Sequence, residues 1–411
     1  MDNLDIFFAD LSKRQIKDWE DLIEDINQVK VFGKYCFEAD FYLIFKQIIV
    51  SLLSNKEIIL LDSDFKEIEL ENLIGNSNLK EEISINNSFN IKSKQDLIER
   101  MNFVSDSWKI TLFTSGTTGL PKQISHSFGS ITRFVRKRKE LTVNKWGFSY
   151  NPTHMAGIQV FFHALINGDS IIRLFGLSKE QILESINKFS ITHISATPTF
   201  YRLLLPINEK YKSVIRITSG GEKFDERTIE LINNAFPNAK ITNVYASTEA
   251  GTLFASDGNE FTIKSQFEKL IKIEDNELLI HKSLMGLSDS IKDDWYKTGD
   301  LVEILSENPI IFKFLSRKNE MINVGGYKVN PLEVEDTIRG IDGVIDVRVF
   351  AKKNSVLGNI ICGEIVLSDK EINESFIRNQ LQNKLQEFKI PRMIRFVDSL
   401  STTRTGKIKR N

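Results

Sequence analysis

Short strand-like runs alternate with helix-like runs between residues 170 and 245, and this alternation constrains the fold more than any other feature. The predicted strands are Ser170–Leu174, Thr192–Ala196, Val214–Thr218 and Ile241–Tyr245. The predicted helices are Ser178–Lys188, Phe200–Leu205 and Asp225–Ala235. Because neighbouring parallel strands need a crossover connection, this order predicts a mostly parallel sheet covered by helices.

Three loops directly follow predicted strands. They span residues 114–122, 219–223 and 245–251. Open α/β sheets bind their ligands outside the carboxyl ends of the strands. We therefore expect the three loops to converge on one crevice.

The first loop is rich in glycine and hydroxyl side chains and follows the strand predicted at Trp108–Phe113. Its residues are Thr114, Ser115, Gly116, Thr117, Thr118, Gly119, Leu120, Pro121 and Lys122. Glycine allows close backbone approach, exposed N–H groups bind anions and Lys122 adds a positive charge, so the loop suits a polyphosphate. It lacks the Gly-Lys-Ser/Thr of a Walker A loop, and a solvated loop is the alternative interpretation. A helix is predicted next, at Phe128–Lys139.

These nine residues resemble the phosphate loop of the adenylate-forming enzymes, which include acyl- and aryl-CoA ligases, luciferases and peptide-synthetase adenylation domains. Four further blocks resemble motifs of the same family, so the likeness extends from Trp108 to Arg410. The N-terminal hundred residues do not share it. Within the family, the compact chain and the segment around His154 resemble small aryl-CoA ligases such as 2-succinylbenzoate–CoA ligase.

The second block follows a predicted strand and offers an aromatic ring, a hydroxyl and a carboxylate. Tyr245 can cover the face of a base, Thr248 can donate to a phosphate, and Glu249 can bind Mg²⁺. A core tyrosine followed by a helix-capping pair is the other interpretation. The block resembles the family's Tyr-Gly-x-Thr-Glu motif, with Ala246 in place of the glycine and Ser247 at the variable position.

The third block, Trp295–Leu301, places a carboxylate where another strand begins. Asp300 can accept two hydrogen bonds from ribose hydroxyls, although a turn aspartate that accepts from backbone N–H groups is the alternative. The block resembles the family's Tyr-x-Thr-Gly-Asp motif, which implies the ribose-binding role for Asp300.

The fourth block, residues 314–331, resembles the family's hinge between a large and a small domain. The resemblance implies that Arg317 contacts the ribose or a phosphate and that Asn319 stands at the pivot, where the family usually has Asp or Lys. The loop implied for thiol transfer comprises Gly325, Gly326 and Tyr327. Without the resemblance, Arg317 is a solvated charge and the two glycines form an ordinary hairpin turn.

The last block is the basic tail, a charge run of a kind that is usually solvated or, alternatively, binds nucleic acid. It resembles the family's Thr-x-x-Gly-Lys-x-x-Arg ending, which aligns with Thr403, Gly406, Lys407 and Arg410. The resemblance implies that Lys407 is the catalytic lysine. A cation there can bridge the substrate carboxylate and the α-phosphate, where negative charge builds up.

Two further segments concern the acid and the adenine. Residues 150–158 resemble the segment that carries the family's gate residue, here His154, although a lone histidine is more often a hydrogen-bonded core residue. The loop with Gly220, Gly221 and Glu222 resembles the strand-end loop that packs on adenine. Its glycines allow close approach, and Glu222 is equally well interpreted as a surface charge.

The chain has 411 residues, which exceeds one typical core and predicts two or more domains. Predicted hairpins within 270–281 and 300–315 indicate a small antiparallel or barrel-like layer, and a helix is predicted at Ile372–Phe388. The predicted fold class is α/β. A large N-terminal domain, 1–317, would combine mostly parallel, helix-covered sheets with the barrel-like layer, and a small mobile α+β C-terminal domain, 318–411, would carry the catalytic lysine.

Charge and cysteine content argue against several classes of protein. The net charge is −1, so nothing points to nucleic acid or to an anionic membrane surface. Cys36 and Cys362 are the only cysteines, which disfavours a disulfide scaffold or a zinc site and fits a reducing cytoplasm. The apolar stretch Phe41–Leu53 is too short to span a bilayer, and the N-terminus lacks the charge pattern of a signal peptide.

The resemblance as a whole implies an ATP-dependent ligase. ATP and Mg²⁺ would be its cofactors, a small carboxylic acid its substrate, and coenzyme A the acceptor of the acyl group from an acyl-adenylate. The phosphopantetheine arm of a separate carrier protein is the alternative acceptor. A non-catalytic nucleotide-binding protein of the same fold is the third hypothesis.

Overall fold

A computed structural model describes residues 5–75, 79, 81–85, 88–114, 122–138, 143–222, 224–289, 291–324, 327–354, 358–368, 371–403 and 407–409. Its α-helices are α1 (Trp19–Asn27), α2 (Phe41–Leu53), α3 (Glu67–Ile74), α4 (Lys94–Arg100), α5 (Phe128–Thr132), α6 (Met155–Ile166), α7 (Lys179–Phe189), α8 (Pro198–Leu204), α9 (Glu226–Ala235), α10 (Pro331–Arg339) and α11 (Glu374–Gln382). In the described ranges, none of these helices is long and apolar enough to cross a membrane.

The strands in the first half of the chain are β1 (Ile6–Asp10), β2 (Gln15–Asp18), β3 (Val31–Gly33), β4 (Tyr35–Phe37), β5 (Ile58–Leu61), β6 (Glu82–Ser84), β7 (Lys109–Thr114), β8 (Lys122–Ser127), β9 (Lys145–Phe148), β10 (Ser170–Arg173), β11 (His193–Ala196) and β12 (Arg216–Gly220). The remaining strands are β13 (Lys240–Ser247), β14 (Gly251–Ser256), β15 (Glu260–Thr262), β16 (Ile271–Glu274), β17 (Glu277–His281), β18 (Trp295–Glu307), β19 (Ile310–Arg317), β20 (Ile322–Val324), β21 (Tyr327–Val329), β22 (Val344–Asn354), β23 (Gly358–Leu367) and β24 (Met393–Phe396).

The main sheet has the strand order β14-β13-β12-β11-β9-β10-β1-β2. Its six inner strands are parallel, and only the edge strands β14 and β2 pair antiparallel. Ala196, Ser219 and Asn243 are register partners on neighbouring strands, so β11, β12 and β13 end on the same side. The parallel, helix-covered sheet predicted from the alternating pattern is confirmed.

A second sheet has the strand order β4-β5-β7-β8, and residues 115–121 lie between β7 and β8 in the sequence. The first three strands are parallel and β8 returns antiparallel to β7. The helix α2 lies against the shared core, where the ring of Phe45 stacks on Phe161 at a centroid distance of 4.6 Å. Asp40 accepts from the N–H of Leu43 and caps the start of α2.

The barrel-like layer is an antiparallel sheet in the order β15-β19-β18-β17-β16. Asp275 and Asn276 join β16 to β17 with φ angles of 50° and 61°. Positive φ at both central residues is typical of the tight hairpin turn whose twist matches the strands. Phe254, Phe261 and Phe312 form the apolar interior beneath this layer.

The elements from β20 onward, together with the tail through Lys409, are called the C-terminal unit below. They include the sheet β22-β23-β24 and the helices α10 and α11. A cluster of buried Ile, Val and Leu side chains, from Ile322 to Ile390, forms a core of their own. The predicted fold class is thereby confirmed.

Two predicted helices extend too far. The helix predicted at Phe128–Lys139 ends at Thr132, because the chain turns there and Val135 N donates to Thr132 O over 2.8 Å. Arg138 is then held away from the helix axis by Asn167, whose Oδ1 accepts its N–H over 2.9 Å, and by the carboxylate of Asp169.

The helix predicted at Ile372–Phe388 is confirmed only over Glu374–Gln382. Asn373 accepts from the N–H of Phe376 and begins it. At the other end, Lys384 N and Leu385 N both donate to Leu381 O, and this turn closes the helix.

Candidate active site

Asp300 lies at the centre of a cluster of predicted nucleotide-binding residues. The residue is 6% exposed. Tyr245 Oη donates to Asp300 Oδ2 over 2.6 Å, and Arg317 Nε donates to Oδ1 over 2.9 Å. Asp300 and Arg317 are register partners on β18 and β19, so the barrel-like layer aligns the pair. Each carboxylate oxygen keeps a lone pair, so Asp300 can accept further hydrogen bonds from a ribose diol.

Tyr245 forms a fixed side of this cluster. Its ring stacks on Phe314 with centroids 4.4 Å apart and planes inclined by 15°. Burial raises the pKa of Tyr245 well above its ordinary value, and the charge of Asp300 raises it further, so the phenol stays protonated and donates. A β-bulge separates Tyr245 from Ala246, which stands where the family has glycine.

The turn after β13 carries Thr248 and Glu249. Ser247 Oγ accepts the N–H of Ala250 over 3.1 Å, which closes the turn. The carbonyl oxygen of Thr248 lies 2.8 Å from His126 Nε2. The turn is thereby tied to β8, the strand that leaves the predicted phosphate loop.

His126 is a residue to which the sequence assigned no role. It is 1% exposed, and burial lowers the pKa of His126 to about 4, so the ring is neutral at pH 7. Nε2 faces the Thr248 carbonyl and carries the proton, which leaves Nδ1, 3.1 Å from Ser130 Oγ, as an acceptor. A Cβ on Gly286 would stand 2.6 Å from His126 Cε1, so the chain passes close to the ring there.

The predicted phosphate loop lies mostly outside the described residues. Its two ends are adjacent, because Thr114 pairs with Lys122 across β7 and β8. The loop residues outside the described ranges are Ser115, Gly116, Thr117, Thr118, Gly119, Leu120 and Pro121. The register at its base therefore fixes where the loop begins and ends.

Lys407 reaches the cluster from the other end of the chain. Its Cε and Nζ lie 2.8 and 3.3 Å from the position that a Cβ on Gly221 would occupy. Gly221 has φ of +85°, a conformation that favours glycine. Burial lowers the pKa of Lys407, while the carboxylates of Glu222 and Asp300 oppose that shift. Nearby carboxylates thus favour the charged ammonium form of Lys407, and an anionic ligand would favour it further.

The loop after β12 is closely packed and is held by its acidic residue. A Cβ on Gly220 would stand 2.5 Å from Val244 Cγ2, so β12 and β13 approach closely at this edge. Glu222 Oε2 accepts from the N–H and the hydroxyl of Thr199, over 3.1 and 2.6 Å. Glu222 is thus a fixed side chain rather than a free surface charge.

His154, the predicted gate residue, is fixed by a carboxylate that the sequence did not single out. His154 Nε2 lies 2.8 Å from Asp62 Oδ2, and Asn151 Nδ2 donates to Asp62 Oδ1 over 3.0 Å. The hydroxyl of Thr153 also donates to Asp62. Asp62 directly follows β5, so its place at the carboxyl end of a strand was the available signal.

Of the predicted hinge and thiol-loop residues, the structure describes Asn319 and Tyr327. Asn319 belongs to the turn after β19, where Lys318 N donates to Gly299 O over 2.8 Å. Tyr327 is 61% exposed and stacks on Phe388 at 4.6 Å. The other two predicted thiol-loop residues, Gly325 and Gly326, lie outside the described residues.

Two family models match the chain. The model described as AMP-binding enzyme matches residues 48–271, and the model described as AMP-binding enzyme C-terminal domain matches residues 333–407.

The similar proteins include CoA ligases. A 2-succinylbenzoate–CoA ligase of Staphylococcus epidermidis is 26% identical over 333 residues, which cover 73% of this chain and 68% of that protein. The mitochondrial acyl-coenzyme A synthetase ACSM4 of Mus musculus is 25% identical over 346 residues, which cover 73% of this chain. The match spans only 59% of the length of the mouse protein.

Solved structures share the fold. The o-succinylbenzoate CoA synthetase MenE from Bacillus subtilis, in complex with the acyl-adenylate intermediate OSB-AMP, has a TM-score of 0.67 at 17% identity, covering 99% of this chain and 95% of that one. ATP-bound MatB from Rhodopseudomonas palustris has a TM-score of 0.72 at 16% identity, with the same two coverages.

Proposed function

Because the chain belongs to the AMP-binding enzyme family, we propose that it activates a carboxylic acid with ATP and transfers the acyl group to coenzyme A. One observation carries the proposal: Lys407, from the chain's tail, lies against Gly221 at the carboxyl end of β12, and the charges of Asp300 and Arg317 act on its pKa. A tail cation next to a ribose-type carboxylate suits the α-phosphate of a bound nucleotide.

In the first half-reaction, a carboxylate oxygen of the acid attacks the α-phosphorus of ATP. A new phosphorus–oxygen bond forms, the bond to the bridging oxygen breaks, and pyrophosphate leaves. Lys407 offsets the charge that builds on the α-phosphate, Asp300 accepts from the ribose hydroxyls, and Arg317 orients Asp300. The 114–122 loop, Lys122 included, holds the β- and γ-phosphates with Thr248.

Glu249 is the residue we assign to Mg²⁺. The ion supplies charge neutralisation on the departing pyrophosphate. Within the described ranges, His, Cys, Asp and Glu side chains do not gather in threes or more into a metal site. Mg²⁺ commonly takes one or two carboxylates together with phosphate oxygens and water, so a single glutamate in the turn tied to β8 would suit it.

In the second half-reaction, the thiol of the acceptor attacks the acyl carbonyl of the acyl-adenylate, a thioester bond forms, and AMP leaves. We assign this step to an arrangement in which residues 318–411 turn about Asn319, Lys407 withdraws, and the loop with Gly325, Gly326 and Tyr327 approaches. We assign His154, which Asp62 holds in place, as the gate residue of the site that binds the acid. The named relatives are CoA ligases, which favours coenzyme A over a carrier-protein arm.

The location and partners follow from the same proposal. Cys36 and Cys362 are both unpaired and buried, as expected of a protein in the reducing cytoplasm. With a net charge of −1, we expect small-molecule substrates and no nucleic-acid partner.

The test is pyrophosphate release with ATP, Mg²⁺ and a panel of acids that includes 2-succinylbenzoate, other aryl acids, and short- and long-chain acids. The expected result is release with one class of acid, followed by thioester formation on addition of free CoA. If a thioester forms only on a phosphopantetheinylated carrier protein, the acceptor is the carrier protein and not coenzyme A. ATP binding without pyrophosphate release for every acid would favour the non-catalytic hypothesis.

A further inference from the structure

The carboxylate of Glu222 contacts both the start of α8 and the tail of the chain. Glu222 Oε2 accepts from the N–H and the hydroxyl of Thr199 at the start of α8. Its other oxygen, Oε1, accepts from the N–H of Ile408 over 3.1 Å. Ile408 is the residue directly after Lys407, so this hydrogen bond fixes the backbone from which the lysine side chain extends.

The tail has other contacts at this point: Arg348 Nη1 on β22 donates to Lys409 O over 2.7 Å, and the side chain of Ile408 is buried. Thr402 and Ile408 form an isolated bridge, and Thr403 N donates to Lys407 O over 2.6 Å. These bonds are within the tail and do not join it to the main sheet. The hydrogen bond from Ile408 N to Glu222 does join them, across 186 positions of sequence.

Glu222 is itself held by a buried charge network. Arg202 on α8 is 3% exposed, and its Nη2 lies 3.5 Å from Glu222 Oε2. The same guanidinium lies 3.4 Å from Asp225 and 3.1 Å from Asp346, a residue of the C-terminal unit. Charges this deeply buried require partners, so the network also fixes the C-terminal unit against α8.

The contacts have a direct geometric consequence. With Ile408 N held by Glu222, the amine of Lys407 lies 3.3 Å from the Cβ position of Gly221. Gly221 and Glu222 are consecutive, so one short loop both bounds the lysine side chain and holds the lysine backbone.

We propose that Glu222 is a positioning residue for Lys407, holding the tail so that the lysine amine lies at the nucleotide cluster during acyl-adenylate formation. This inference rests on the proposed function for its catalytic consequence, but the tail-holding itself does not. Withdrawal of Lys407 for the second half-reaction breaks the hydrogen bond from Ile408 N, so Glu222 affects only the arrangement that adenylates.

The test compares Glu222→Ala and Glu222→Gln with the wild-type chain and with Glu230→Gln, a matched control on an exposed position of α9. A glutamine oxygen can accept from Ile408 or from Thr199 but not from both, so Glu222→Gln is the milder variant and guards against a folding defect of the alanine variant. Hydrogen–deuterium exchange of the peptide that covers residues 401–409 reports the tail directly. Half-reaction rates report the consequence.

For Glu222→Ala we expect a fall of about 10- to 100-fold in adenylation rate, the range typical of losing a hydrogen bond to a charged group. The KM for ATP and the thiolysis of supplied acyl-adenylate should stay within about twofold, and the tail peptide should exchange at least about tenfold faster. Glu222→Gln should fall between, and Glu230→Gln should match the wild type.

Unchanged exchange of the tail peptide in Glu222→Ala would overturn the inference, whatever the activity. A raised KM for ATP with unchanged exchange would instead make Glu222 a nucleotide contact and would also overturn it. If the wild-type chain adenylates no acid, the proposed function fails, while the exchange comparison still decides whether Glu222 holds the tail.

Discussion

The contact between Gly221 and Lys407 makes Gly221→Ala the sharpest test of the tail's position. An added Cβ would stand 2.8 Å from Lys407 Cε, and ordinary van der Waals contact begins near 3.4 Å, so the side chain must retreat by about 0.6 Å or more. Displacements approaching 1 Å at a catalytic group can lower rates by about 100-fold, so we expect adenylation to fall about 10- to 100-fold. The φ of +85° adds about 1–2 kcal/mol of backbone strain.

Gly176→Ala supplies the matched control. Gly176 has φ of +74°, and its nearest neighbour, Arg173 Nη2, lies 3.5 Å from the added Cβ position. Both variants should therefore lose similar stability, a few degrees in Tm by calorimetry, while only Gly221→Ala should lose pyrophosphate release. The reasoning is refuted if the two variants release pyrophosphate at rates within about twofold of each other.

Three further predictions rest on other contacts. Lys407→Ala should abolish adenylation and spare thiolysis of supplied acyl-adenylate; equal loss in both half-reactions would contradict the two-arrangement assignment. Asp62→Ala leaves the donors of Asn151 and His154 without their acceptor and should lower stability by about 1–3 kcal/mol in a denaturant titration, with a raised KM for the acid; an unchanged KM would separate this cluster from the acid site. The pKa of His126 is lowered to about 4, so between about pH 6.5 and 4 the unfolded chain binds a proton on this residue that the folded chain does not bind. The free energy of unfolding should therefore decrease as the pH is lowered through that window, by up to about 1.4 kcal/mol per pH unit. Burial also lowers the pKa values of His163 and His193 to about 4, so His126→Gln should reduce the slope of Tm from pH 7 to 5 without removing it, and an unaltered slope would argue against a buried neutral His126 ring.

The central part of the fold was predictable because its signal is local. Strands β10 to β13 and the helices between them each carry their own apolar periodicity, and the hairpin at Asp275 and Asn276 carries its own turn residues. By contrast, β1 and β2 fall in a stretch for which the sequence analysis predicts no element. Phe8 of β1 pairs with Ile171, and a short strand whose partner lies so far along the chain has no local pattern to reveal it.

The candidate site likewise contains residues that the sequence indicates and residues that it does not. Asp300, Arg317 and Lys407 could be named because they lie in recognisable blocks of sequence, and the structure brings them together. Asp62 and His126 could not, because their partners are 92 and 122 positions away and neither residue lies in such a block. Asp62 holds the ring of His154, and His126 holds the turn at Thr248. Both contacts form only in the folded chain, so the sequence pattern does not show them.

The placement of β1 between β10 and β2 has a consequence for biosynthesis. Phe8 of β1 pairs with Ile171, so 163 residues must leave the ribosome before the first strand meets its parallel neighbour. At about 5–20 residues per second that interval lasts roughly 8–30 s. During it β1 can pair with β2 but not with β10, so Phe7 and Phe8, both buried in the folded protein, wait for the parallel strand that completes their side of the sheet.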